Sequence, residues 1–152
     1  MTKATITPDH INLLDTNHLQ STVQITLQNT GNTSESYTFS HVPADALNSY
    51  PSKNVTFPLP DPIIETDYAE VVFSQSKVDL PAGQSAVVTL RFQEPKNGSA
   101  EQFPIYSGYI VATPDSQGGV AVHVPYTGLK GDISKVPIMD TSLEFPAVRR
   151  FD

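Results

Sequence analysis

The chain has 152 residues, 38% hydrophobic and 16% charged, enough for one domain that buries roughly 70% of its unfolded surface. Nine Lys and Arg against sixteen Asp and Glu leave a net charge of -7, which excludes a phosphate-binding stripe and disfavours an anionic membrane surface. The chain has no cysteine, so a disulfide framework, a thiolate metal site and a cysteine nucleophile are excluded as well.

Two-residue alternation of apolar and polar side chains dominates from end to end, which is the period of strands and not of helices. Residues 1–4 open directly into a strand at Ala4 and Ile6 with no apolar signal-type segment, so a secreted parent would carry its leader upstream. Val23, Ile25 and Leu27 alternate with Gln24, Thr26 and Gln28, and Asn29-Thr30-Gly31-Asn32 supplies the turn that follows. Tyr37, Phe39 and His41 make the next strand, which Pro43 is expected to end, with a helix plausible only across Ala44 to Asn48. Residues 43–68, punctuated by Pro43, Pro51, Pro58, Pro60 and Pro62, are expected to form one long loop.

Short strands at Val71–Phe73 and Val78–Leu80 flank a polar Ser-Gln-Ser kink. Pro81-Ala82-Gly83-Gln84 reads as a type II turn with proline at the second position, leading into Ala86, Val88, Leu90 and Phe92. Tyr106–Thr113 and Val120–Tyr126 form a hairpin across a six-residue polar loop. Alternation ceases after Leu129, so residues 1–140 are taken as the domain and 141–152 as a connector. The pattern predicts an antiparallel β-sandwich of about seven to nine strands. No apolar run is long enough to span a bilayer, so no membrane insertion is expected.

No motif for chemistry stands out. There is no G-x-S-x-G, H-E-x-x-H or glycine-rich phosphate loop, so no catalytic, cofactor-binding or metal-binding residue is assigned. His41 and His123 fall on strands, where packed or hydrogen-bonded histidines are ordinary. Asp61, Glu65, Asp67 and Glu70 form an acidic cluster whose spacing does not suit a calcium loop; a solvated acidic loop is expected. Lys130-Gly131-Asp132 resembles an adhesive tripeptide, but its glycine is expected to serve the backbone. Tyr106, Tyr109 and Tyr126 suggest either a sugar-stacking platform or core and interface packing, and the second is expected. Sequons at Asn32, Asn54 and Asn97 lie in turn-like stretches where an N-linked glycan would be tolerated.

Several runs carry a family resemblance. VQITLQNTGNTSESY (23–37), LPAGQSAVVTLRF (80–92), FPIYSGY (103–109), VPYTGLKGD (124–132) and VPIMD (136–140) follow one another at characteristic spacing over residues 3–140. In that order they resemble the fibronectin type III-like domain that follows the catalytic domain in C5a peptidase-type and fungal subtilisin-like serine proteases. The resemblance implies an immunoglobulin/fibronectin III-like sandwich acting as a non-catalytic accessory domain of a secreted endopeptidase. Its partner would be the catalytic domain of that protease, and its role stability or positioning of a protein substrate. Tyr50, Phe57 and Ile63 on the proline-rich stretch, Tyr106-Ser107-Gly108 and Tyr126 are the expected contact residues. The alternative is a free-standing extracellular adhesion or carbohydrate-binding sandwich.

Overall fold

The structure is a computed structural model and describes residues 3–51, 61 and 63–136. Among these residues ten strands make two stacked sheets. The first sheet has the order β1 (Ala4–Thr7), β3 (Thr22–Asn29), β8 (Ser85–Gln93), β6 (Glu70–Phe73), all antiparallel. The second runs β2 (Ile11–Leu14), β10 (Val122–Leu129), β9 (Pro104–Pro114), β4 (Glu35–Asn48), β5 (Ile63–Glu65), and β7 (Lys77–Leu80) also pairs with β4. The β2–β10 pair is parallel and the other pairs are antiparallel.

The alternation read from the sequence decides what lies between the sheets. Ile25, Leu27, Val88, Leu90 and Phe92 point inward from the first sheet and meet Leu13, Tyr37, Tyr106, Ile110, Val124 and Tyr126 from the second, all 2% exposed or less. Each such side chain contributes about 1.5–3 kcal/mol by leaving water. The two shortest of the connections that change sheets are three residues long: β1 passes to β2 across residues 8–10, and β6 passes to β7 across Ser74-Gln75-Ser76. The Ser74 amide still donates to Thr89 of the first sheet, at 2.9 Å, while the Ser76 carbonyl accepts from Phe39 of the second, at 2.8 Å. The polar kink is thus a crossover between layers.

Three expectations are corrected. Pro43 does not end the strand, nor do residues 44–48 form a helix: β4 continues through Pro43 to Asn48, with a bulge between Ala44 and Leu47. The physical reason lies in the ladder. Phe39 directs its N–H away from β9, towards Ser76, so two-residue alternation turns the Pro43 nitrogen to the same edge. Partner strands cover that edge only at 35–38 and 46–48, so the missing N–H breaks no strand pairing. The expected loop of residues 43–68 accordingly contains the end of β4 and all of β5. Finally, the Gln84 amide closes the tight turn onto the Pro81 carbonyl (3.0 Å) with Gly83 at φ 75°, so proline opens the turn and glycine holds its third position. The connector assigned to 141–152 lies outside the described residues.

Candidate functional site

Of the expected contact residues, the tyrosines on β9 and β10 go inward. Tyr106 and Tyr126 are 0% and 1% exposed, and Gly108 is buried with them. The register pairs Tyr126 with Gly108 and Tyr106 with Gly128, so each ring lies over the glycine opposite. A Cβ on Gly108 would stand 2.7 Å from the Tyr126 hydroxyl, and one on Gly128 would run into the Tyr106 ring. Tyr126 also packs its ring, tilted by 57°, against Phe92 of the first sheet (5.0 Å) and holds His41 Nε2 at 2.6 Å from its hydroxyl. Burial pushes Tyr126 up to about 12, raises Tyr106 further, and lowers His41. These groups tie the two sheets together and cannot serve a neighbour directly. Ser107 is half-buried, Tyr50 lies edge-on to Phe103 at 5.5 Å, and Ile63 is 51% exposed. Phe57 lies outside the described residues.

The outer faces of the two sheets differ sharply. The first presents Thr22, Gln24, Thr26, Gln28, Thr89, Arg91 and Glu70, with exposed Val72 and Val87 set singly among them, a mostly polar surface. On the second, the register sets Val42 beside Tyr109 and Pro125, and sets Ile64, Leu47, Ile105 and Leu129 in one row across four strands. Ala44, Ser107 and Thr127 lie between these rows, and none of these positions is Asp, Glu, Lys or Arg. Val42, Leu47, Ile64, Ile105 and Tyr109 are all exposed. Sequence reasoning missed this face, although its signal was present: Ile105 and Tyr109 are apolar at the parity opposite to buried Tyr106 and Ile110, so β9 is apolar on both sides.

The adhesive-like tripeptide is structural. Lys130 Nζ donates to the carbonyls of Pro95 (2.7 Å), Asn97 (2.8 Å) and Gly98 (3.2 Å), holding their loop closed from within. Gly131 adopts φ 122°, and a Cβ there would lie 2.6 Å from the Ala100 carbonyl; Asp132 accepts from Ser134 N at the start of a 3-10 turn. Replacing Lys130 by methionine strands those carbonyls without their donor and should cost about 2 kcal/mol in chemical denaturation.

Next to it, Asp15 and Thr16 hold the segment from Gly131 to Ile133. Asp15 Oδ2 accepts from Ile133 N at 2.9 Å and its Oδ1 accepts from His18 N at 3.0 Å, while the Gly131 amide donates to Thr16 Oγ1 at 2.7 Å. The Ile133 amide, and after it the His18 ring and amide, hold the Asp15 carboxyl below its ordinary 3.8. A lowered carboxyl stabilises the fold above its unfolded value, and that contribution is lost as pH falls through the folded one. The melting-temperature gap between wild type and Asp15→Asn should therefore be constant at neutral pH and close on acidification below 3.8; thermal melts across that range check it.

The remaining candidates disperse. The His10 ring lies 2.7 Å from Asp9, and His123 packs edge-on to Tyr109. Glu65 accepts from buried Asn48 (2.7 Å) in the second sheet, whereas Glu70 pairs with Lys96 (2.9 Å) beside the first. Among the described residues no three His, Cys, Asp or Glu side chains converge to hold a metal ion. Asn32 and Asn97 are exposed, and Asn54 lies outside the described residues.

Residues 11–127 match the family model of the Fn3-like domain. No curated protein matches the chain. Among solved structures, the ASH/PapD-like domain 7 of human CEP192 superposes with a TM-score of 0.56 at 16% identity, covering 85% of each chain. That likeness concerns the fold alone. The CsuC-CsuE chaperone–tip adhesion subunit complex of Acinetobacter baumannii gives 0.47 at 14% identity, covering 86% of this chain and 57% of that one. The E. coli chaperone DraB gives 0.46 at 9%, covering 88% and 56%.

Proposed function

The chain belongs to the Fn3-like domain family, and from that premise we propose that it is a non-catalytic accessory domain of a secreted subtilisin-like serine endopeptidase. Domains of this family are typically non-catalytic, and the runs at 23–37, 80–92, 103–109 and 124–132 resemble the domain that follows the catalytic domain in such proteases. In this role the sandwich packs against the catalytic domain and supports its stability or the placing of a protein substrate. One observation carries the reading: the outer face of the second sheet holds contiguous rows of apolar side chains, whereas that of the first is mostly polar with Val72 and Val87 standing singly. An exposed apolar sheet of several strands is the kind of surface that a neighbouring domain covers. Exposed Asn32 and Asn97 would carry N-linked sugar in a secreted parent.

The sugar-platform alternative gains nothing, because Tyr106 and Tyr126 are buried and only Tyr109 of the three is exposed. The test compares the full-length protease with a form lacking residues 1–136. Shortened activity half-life on deletion is expected; an unchanged half-life and unchanged turnover of protein substrates would refute the accessory role.

A further inference from the structure

We propose that Asn97-Gly98 is a site of self-modification, where the chain closes a succinimide and opens it to aspartate or isoaspartate, and that Lys130 activates it. The inference is independent of the accessory-domain reading. Asn97-Gly98 is the only Asn-Gly step in the sequence. Both residues are exposed, and Gly98, at φ 76°, has no side chain to shield its backbone nitrogen. Among the described residues neither the Asn97 side-chain amide nor the Gly98 N–H is tied up in a hydrogen bond. The nucleophile is that nitrogen once it has lost its proton, which a backbone amide gives up reluctantly. Here the peptide unit is polarised. Lys130 Nζ donates to the Asn97 carbonyl at 2.8 Å, and this carbonyl and the Gly98 N–H belong to one peptide bond. Charge on the deprotonated nitrogen spreads onto the carbonyl oxygen, where the ammonium stabilises it. Lys130 is half-buried, and the Pro95 (2.7 Å) and Gly98 (3.2 Å) carbonyls hold its head in place. A trans peptide sets N–H opposite C=O, so the proton faces away from the ammonium.

The step needs only water and hydroxide. Hydroxide takes the Gly98 amide proton, the nitrogen bonds to Asn97 Cγ, and the Cγ–Nδ2 bond breaks, Nδ2 gaining a proton from water and leaving as ammonia. Water then opens the ring. Breaking the bond from nitrogen to Cγ gives aspartate; breaking the bond from nitrogen to the main-chain carbonyl carbon gives isoaspartate, which lengthens the backbone by a methylene. Either product adds a negative charge to a loop that already faces Glu65, whose Oε2 would stand 3.3 Å from a Cβ on Gly98. Isoaspartate also shifts the carbonyls that Lys130 gathers, so the loop loosens. Both products destroy the Asn97 sequon, since an N-linked glycan and this reaction compete for the same Nδ2.

The test incubates the unglycosylated 152-residue chain at mildly alkaline pH and follows each asparagine by peptide mapping, with an isoaspartyl methyltransferase to count isoaspartate. Exposed Asn32, followed by Thr33, is the internal control. Ammonia loss is expected at Asn97 well ahead of Asn32, at a rate that rises in proportion to hydroxide. Lys130→Gln keeps a donor and loses the charge, and should slow Asn97 roughly tenfold, the equivalent of one pKa unit of lost stabilisation. Lys130→Arg should stay near the wild-type rate. A lysine that only held the loop would give the opposite sign, because a loosened loop lets the nitrogen reach Cγ more often. Melting curves check that each variant is folded. Should Lys130→Gln fail to fold, a synthetic peptide of residues 93–102, which lacks Lys130, gives the second measure and should react more slowly than the folded chain. An unreacted Asn97, a Lys130→Gln chain as fast as wild type, or a peptide as fast as the folded chain would overturn the inference.

Discussion

Replacing Gly128 by alanine should cost the domain about 2–3 kcal/mol, in the range of overpacked cores, although alanine is ordinarily the better strand residue. Gly128 is paired with Tyr106 across β9 and β10, and a Cβ there would occupy the volume of the tyrosine ring, 2.6 Å from its Cε2 atom. The ring has nowhere to retreat, because Tyr106 is fully buried in the same cluster as Tyr126 and Phe92. A shortened side chain at the partner position should relieve the clash. Gly128→Ala combined with Tyr106→Leu is therefore expected to lose less than the sum of the two single losses in urea unfolding. Additive losses would show that the ring does not lie over Gly128.

Asn29→Ala should cost a similar amount, about 2–4 kcal/mol, the sum expected when buried partners lose their hydrogen bonds. Asn29 is 1% exposed at the end of β3. Its side-chain amide donates to the carbonyls of Leu80 (3.0 Å) and Thr33 (2.8 Å), and its side-chain oxygen accepts from Gly31 N at 2.9 Å. Its backbone exchanges bonds with Gln84 and Gly83 in the next turn, at 2.9 Å each. One residue thus joins the β3–β4 turn to the β7–β8 turn, so its loss should loosen both. Asn29→Asp would keep the acceptor and remove both donors, and should be no better than alanine. Equilibrium denaturation of the two variants measures this directly; a loss below 0.5 kcal/mol would place the two turns under independent control.

The sequence made some of this legible and hid the rest for physical reasons. Strands β3, β8 and the β9–β10 hairpin could be read because each has one core face, which leaves a two-residue period in Val23–Leu27, Ala86–Phe92 and Val122–Tyr126. Strand β2 was invisible: Ile11-Asn12-Leu13-Leu14 is four residues long, lacks clean alternation and gains its place from a parallel partner more than a hundred residues away. The continuation of β4 past Pro43 depended on which way one nitrogen points, a fact of register and not of composition. Ser74-Gln75-Ser76 could be read as a break, yet nothing local says that β6 and β7 belong to different sheets. For Tyr106 and Tyr126 the parity was readable and the direction was not; the glycines opposite them settle it by leaving room for the rings. The apolar outer face was hardest, since Val42, Ile64, Ile105 and Pro125 meet only after four strands align.

The most direct test is side-chain accessibility in both contexts. Hydroxyl-radical labelling read by mass spectrometry should modify Tyr109, Val42 and Ile105 readily in the isolated chain, where they are 49%, 50% and 39% exposed. In the full-length protease the same three side chains should be shielded, while Val87 on the opposite face labels equally in both. Equal labelling of Tyr109, Val42 and Ile105 with and without the catalytic domain would contradict the account.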